Sequence, residues 1–173
     1  MRGFLMMALL CGFALPAQAV DLASPFRSID GGDLRLSDWD GCPFLVVNTA
    51  SQCAFTRQYR ALQQLYDRYR DRGLVVVAVP SNDFKQELET NEAVKEFCEV
   101  QYGLTFPMSE ITSITGQEAH PFYASLKSEN GFVPRWNFNK VLIDTDGSVV
   151  KTYGSRVAPL SGQLTGAIDR LLD

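Results

Sequence analysis

Three of the four cysteines, a tryptophan–asparagine pair and one aspartate are the residues through which this chain could do chemistry. Cys53 comes first. It lies in Asn48-Thr49-Ala50-Ser51-Gln52-Cys53-Ala54-Phe55-Thr56, after the apolar run Phe44-Leu45-Val46-Val47 and before a helical pattern that begins near Thr56. A buried strand that empties through a short loop into a helix is the first half of a βαβ unit. Such a loop sets a side chain at the carboxyl end of the strand, beside the positive end of the helix, where the thiolate form of a cysteine is favoured. The thiolate is the nucleophilic form, so the placement points to a reactive cysteine without naming its reaction. An inert packed thiol is the alternative.

The other cysteines depend on where the chain works. Arg2, the apolar run from Phe4 to Leu15 and the small-x-small pattern Ala17-Gln18-Ala19 read as a signal peptide spanning residues 1–19 and cleaved after Ala19. The run is too short to span a membrane as an anchor. Cys11 follows Leu10, a poor match to a lipoprotein cleavage site, and leaves with the leader. The expectation is an exported protein, periplasmic or secreted, with no stable membrane association. In an oxidising compartment disulfides persist, and Cys42, Cys53 and Cys98 remain, an odd number. One pair plus one free thiol is the simplest arrangement. The absence of C-x-x-C argues against a conventional thioredoxin-type oxidoreductase.

The elements that must position these residues follow from periodicity. A chain of 173 residues that is 46% hydrophobic, with a formal charge of −4, reads as one ordinary globular domain over residues 20–173. Loss of Arg2 with the leader takes the charge to −5. No basic run suggests nucleic acid: Arg57, Arg60, Arg68, Arg70 and Arg72 alternate with acids and apolar residues along one helix. Residues 20–43 read as a β-hairpin turning at Asp30-Gly31-Gly32-Asp33, with Leu34 and Leu36 alternating. Strands follow at 44–48 and 74–79, joined by an amphipathic helix over 57–72 that Gly73 stops. Further helices are predicted at 91–102, 119–127 and 160–172, with a hairpin of 141–143 and 149–150 around Thr145-Asp146-Gly147. Hairpin, βαβ, helix, hairpin, helix is an α/β thioredoxin-like sandwich with a central mixed sheet, flanking helices and an N-terminal β-hairpin. Its carboxyl strand edge carries both Cys53 and the loop Ser81-Asn82-Asp83-Phe84, and sites form at that edge in open α/β sheets.

Trp136 and Asn137 precede the last hairpin. Taken alone, they are a core aromatic and a turn residue. His120, the only histidine, opens a short helix and reads as structural; one histidine and scattered cysteines make no metal-ligand set.

Four motifs occur in register: Asn48-x-Ala50-Ser51-x-Cys53-x-Phe55-Thr56, Asn82-x-Phe84, Phe97-Cys98-x-x-x-Tyr102-Gly103-x-Thr105-Phe106-Pro107 and Trp136-Asn137-Phe138-x-Lys140. In order and spacing they resemble the glutathione peroxidase family over roughly residues 25–172. The resemblance implies a thioredoxin-like fold and a thiol peroxidase that reduces hydrogen peroxide or organic hydroperoxides. Cys53 would attack the peroxide and become a sulfenic acid. Trp136 and Asn137 match the family's indole and amide donors, which stabilise charge on the breaking O–O bond. Cys98 matches the resolving cysteine of the thioredoxin-dependent subgroup. It would form a disulfide with Cys53 that a thioredoxin-like protein, or alternatively glutathione, reduces as co-substrate, with no bound cofactor. Cys98 lies on a helix that must unwind locally to bring the two Cα atoms within about 7 Å.

One departure stands out. The family's site glutamine falls at Asp83, and an ionised carboxylate cannot donate a hydrogen bond. Asp83 would line the site protonated, accept a proton from the peroxide, or point away. Gln86 aligns with a later glutamine of the same loop, because one residue is missing there. Two further readings stay open: a thiol–disulfide redox sensor or exchange protein with weak peroxidase activity, and a non-catalytic envelope binding protein. Cys42 is the leftover, a packed thiol. No long insertion offers an assembly interface, so a monomer is expected.

Overall fold

A computed structural model describes residues 19–173; residues 1–18, which hold all but the last residue of the expected signal peptide 1–19, lie outside the described residues. The strand that begins with the apolar run Phe44-Leu45-Val46-Val47 forms the centre of the fold. β3 (Phe44–Thr49) is buried at all six positions because it has neighbours on both edges and layers on both faces. β4 (Val75–Pro80) pairs with it in parallel, Val46 opposite Val77 and Thr49 opposite Pro80. β5 (Lys140–Ile143) pairs antiparallel on the other edge, Val47 opposite Lys140, and β6 (Val149–Tyr153) closes the order β4-β3-β5-β6.

On one face Leu45, Val47, Val76, Ala78 and Leu142 pack against three helices: α1 (Gln58–Tyr69), α2 (Asn91–Tyr102) and α4 (Gly162–Leu172). On the other, Phe44, Val46, Val77 and Val141 pack against α3 (Pro121–Asn130) and a two-stranded hairpin of β1 (Phe26–Arg27) and β2 (Asp33–Leu34). Each fully buried valine or leucine contributes about 1.5–3 kcal/mol relative to exposure, so these two layers are what hold the strand ends in place. This is the thioredoxin-like α/β sandwich expected from periodicity.

The departures are local. The hairpin strands are two residues each, and Leu36–Trp39 coils into a 3-10 turn rather than prolonging β2. Leu36 still reaches the core from that turn. α1 ends at Tyr69 and a 3-10 turn over Arg70–Arg72 completes it, closed by Gly73 at φ 102°, a conformation that favours glycine. α2 matches its expected bounds: the Thr90 hydroxyl accepts from Ala93 N–H and Gly103 ends the helix left-handed. α3 begins at Pro121 rather than 119, because His120 caps it and proline suits the first helical turn.

Candidate active site

β3 delivers Cys53 to the carboxyl edge of the sheet, and a series of turns carries the chain into α1. Thr56 N–H bonds to Cys53 O at 3.0 Å, and Tyr59 N–H bonds to Thr56 O at 3.0 Å. The Thr56 hydroxyl accepts from Cys53 N–H (3.1 Å) and donates to Ala50 O (2.9 Å), so one side chain pins the loop from both ends. Cys53 is 8% exposed, and Phe55 N–H points at its Sγ at 3.4 Å.

The turn before β5 arrives beside this loop. Trp136 is not a core aromatic: it is 41% exposed, and its ring leans on Phe84 at 5.4 Å between centroids. Its carbonyl is fixed by Asn48 Nδ2 (3.0 Å) and Asn139 Nδ2 (2.8 Å). Asn48 also accepts from Asn139 N–H at 3.1 Å, which ties the end of β3 to the start of β5. Asn137 is fully buried, and its Nδ2 donates to Gln86 Oε1 at 3.0 Å. The next residue, Phe138, has φ 60°, an unfavourable conformation for an aromatic side chain that costs of order 1–3 kcal/mol. Its N–H bonds to Asn48 O at 2.6 Å, and its buried ring packs edge-on to Tyr59. The turn in this shape leaves the Trp136 ring exposed and the Asn137 side chain buried against Gln86 before the chain enters the sheet.

Asp83 requires a correction. Its Oδ2 accepts from Ile114 N–H (2.9 Å), Thr115 N–H (2.8 Å) and the Thr115 hydroxyl (2.8 Å). Of the alternatives for this residue, pointing away is the one the structure adopts: three donors of the 112–115 loop hold the carboxylate there. Gln86, the later glutamine of the same loop, is the residue that meets the Trp136–Asn137 turn. Gln52 N–H bonds to Gln86 O at 2.9 Å, one residue before Cys53, while the Gln86 side chain holds Asn137. Gln86 thus stands between the cysteine loop and the Trp136–Asn137 turn, its Nε2 without a protein partner among the described residues. The match of Gln86 to a later glutamine of the family's loop was the one sequence signal for this placement.

Cys98 sits on the inner face of α2, 1% exposed, and burial pushes its thiol up to about 12. Tyr59 and Glu87 lie around it. Burial raises the tyrosine's pKa well above its ordinary value and also raises that of the Glu87 carboxyl. Glu87 Oε1 accepts from Ser51 N–H and Leu88 N–H, both at 2.9 Å. Cys53 and Cys98 share one core cluster, but both are free thiols, and Cys98 O accepts from Leu104 N–H just past the end of its helix. The structure therefore places Cys98 on the same side of the sheet as Cys53 without joining them. Cys42 is half-buried against the opposite core layer. His120 Nδ1 accepts from Phe122 N–H at 3.2 Å, Nε2 faces Pro25 O at 3.0 Å, and the ring stacks on Phe26. Burial lowers its pKa, which suits a neutral capping residue.

Beside the cysteine loop opens a cavity of about 650 Å³. Phe55, Phe132, Trp136 and Val157 give it apolar walls, and Arg135 and Arg156 add positive charge. It shares Phe55, whose N–H points at the sulfur, and Trp136 with the site.

The glutathione peroxidase family model matches residues 23–127. A hydroperoxy fatty acid reductase of Synechocystis sp. is 42% identical over 157 residues, 84% of this chain and 92% of that protein. A glutathione peroxidase-like peroxiredoxin of Chlamydomonas reinhardtii is 38% identical over 151 residues, again 84% and 92%. Among solved structures, the apo form of Trgpx superposes with a TM-score of 0.68 at 29% identity, covering 89% of this chain and 99% of that one.

Proposed function

The chain belongs to the glutathione peroxidase family and is a thiol-dependent peroxidase, and we propose that Cys53 is the residue that meets the peroxide. The Cys53 thiolate attacks the terminal oxygen of a hydroperoxide. The O–O bond breaks, Cys53 becomes a sulfenic acid, and the alkoxide or hydroxide leaves as alcohol or water after taking a proton. Trp136 and Asn137 supply donors to the oxygen that gathers negative charge, and Gln86 Nε2 takes the place expected of Asp83. The observation that carries this reading is Gln86, which accepts from Gln52 N–H through its backbone oxygen and from Asn137 Nδ2 through its side chain, and so ties the Trp136–Asn137 turn to the loop of the cysteine whose sulfur accepts from Phe55 N–H.

Cys98 resolves the sulfenic acid. Its thiolate attacks the Cys53 sulfur, the S–S bond forms as the S–O bond breaks, and the hydroxide leaves as water after taking a proton from solvent. Burial of Cys98 on α2 makes an opening of the last helical turns, with release of Leu104 N–H from Cys98 O, part of that step. A dithiol donor of the thioredoxin type then reduces the disulfide; glutathione is the alternative donor. The apolar cavity with Arg135 and Arg156 suits organic hydroperoxides that carry an acidic group, which is in keeping with the hydroperoxy fatty acid activity named for the Synechocystis relative. The leader of residues 1–19 would direct the protein out of the cytoplasm, and cleavage after Ala19 leaves Val20, whose nitrogen bonds to Gly147 O at 3.0 Å. The protein acts as a monomer.

Peroxide consumption by the mature protein, coupled in parallel to a thioredoxin system and to glutathione, tests the assignment. Turnover is lost in Cys53→Ser with either donor, and Cys98→Ser loses only the thioredoxin-coupled rate. Full turnover by Cys53→Ser would end the proposal.

A further inference from the structure

Lys140 opens β5 and is completely buried. Its Nζ donates to Gln58 Oε1 at 2.7 Å and to Phe138 O at 2.8 Å. Neither acceptor carries charge, and no ion pair among the described residues includes this lysine. Burial pushes its pKa down to about 7. A buried cation without a counter-charge is unfavourable, and an apolar residue of similar volume would pack there without that cost. Stability therefore gives no reason for a lysine at this position.

Its two bonds join the parts of the peroxide site. Phe138 is the residue after Asn137 and holds the turn in its left-handed conformation. Gln58 is the first residue of α1, five positions beyond Cys53. From Gln58 the network continues: Gln58 Nε2 donates to Ser155 O at 2.6 Å, and the Ser155 hydroxyl donates to Asn137 O at 2.6 Å. A closed ring thus runs from Lys140 through Gln58, Ser155 and Asn137 to Phe138 and back to Lys140. One half of the ring is the helix start that presents the sulfur; the other is the turn that presents the donors.

We propose that Lys140 is a positioning residue of the peroxide site: by donating to both Phe138 O and Gln58 it locks the Trp136–Asn137 turn onto the helix start that presents Cys53. The inference rests on Trp136 and Asn137 acting as donors to the peroxide. A neutral amine keeps two N–H groups, enough for both acceptors, so the lock persists when the ammonium loses its proton. The role is geometric, and its consequence is kinetic: displacing a reacting or stabilising group by about 1 Å can cost a reaction on the order of 100-fold.

The test compares two reactions of one thiol in mature protein carrying Cys42→Ser and Cys98→Ser, so that only Cys53 reports. Alkylation by iodoacetamide needs the thiolate alone. Reduction of tert-butyl hydroperoxide needs the thiolate and correctly placed donors. Lys140→Met is expected to lower the peroxide rate constant by about 30-fold and the alkylation rate constant by less than about threefold. Gln58→Leu removes one arm of the lock while leaving the lysine, and should lower the peroxide constant by about fivefold with alkylation again spared. It carries the test by itself if Lys140→Met does not fold. Equal losses in the two reactions, or no loss in either, overturn the proposal. Trp136→Phe separates the two layers of argument. If it leaves the peroxide constant unchanged, the donor assignment fails; if it lowers that constant while Lys140→Met and Gln58→Leu do not, only the role of Lys140 fails.

Discussion

Replacing Asp83 by asparagine should damage the fold and spare the chemistry. The carboxylate oxygen Oδ2 receives three donors: Ile114 N–H, Thr115 N–H and the Thr115 hydroxyl. A hydrogen bond to a charged group contributes about 1.5–3 kcal/mol and a neutral one about 0.5–1.5 kcal/mol. Asparagine keeps a carbonyl acceptor of the same size, so the loss is near 1 kcal/mol per bond by that comparison. Because the three bonds share one oxygen and the residue is only half-buried, we expect about 2 kcal/mol in total rather than the full sum. In a domain of this size about 2 kcal/mol lowers the melting temperature by roughly 4–8 °C. Thermal unfolding followed by circular dichroism measures the loss, and stopped-flow oxidation of Cys53 by peroxide measures the chemistry. The rate constant should stay within about threefold of wild type, since no donor to the peroxide has been removed. Asp83→Gln, which restores the residue type usual for the family, should be at least as destabilising and no faster. A change in peroxide rate above tenfold at an unchanged melting temperature would refute the placement of Asp83 in the 112–115 loop.

Other substitutions probe the remaining supports. Lys140 titrates near 7 when folded and near 10.5 when free, so between those values the unfolded chain holds a proton that the folded chain lacks. Wild-type stability should therefore rise with pH across that window, by up to about 1.4 kcal/mol per pH unit, and urea unfolding at pH 7 and pH 9 should show the rise absent from Lys140→Met. Thr56→Val removes the hydroxyl between Cys53 N–H and Ala50 O and leaves both buried groups unpaired; calorimetry should record a loss of about 2–3 kcal/mol together with slower peroxide reduction. Trp136→Phe acts at an exposed ring, so unfolding free energy should move by less than about 0.5 kcal/mol. Loss of the indole donor in the same variant should lower the peroxide rate constant by about 10²–10³-fold in stopped-flow mixing.

Much of the scaffold was legible because its signals are local. The apolar runs at 44–47 and 74–79, the threonine and glycine that bracket α2, and the placement of Cys53 between strand and helix are all written in consecutive residues, and the strands they mark end one residue later than the expected 48 and 79. Leu36 shows the limit of alternation: its apolar character predicts that it faces inward, and it does, but from a 3-10 turn rather than a strand. Asp83 and Gln86 show a different limit. Which of two polar residues in one short loop reaches the site depends on contacts with residues 114 and 115, some thirty positions later, and with Asn137, some fifty positions later. The left-handed Phe138 contradicts the preference of its own side chain, so no propensity could have marked it. Lys140 stood in the sequence as the last residue of the Trp136-Asn137-Phe138-x-Lys140 motif with no role of its own; its burial and its ring of partners exist only once β5 lies between β3 and β6.

The account turns on Cys53 as the sulfur that peroxide oxidises. The direct measurement is intact-mass and peptide mass spectrometry of the mature Cys98→Ser protein, treated with one equivalent of hydrogen peroxide in the presence of dimedone. A single dimedone adduct on Cys53, with Cys42 unmodified, is the predicted result. An unmodified Cys53, or an adduct on Cys42 in its place, would contradict the account.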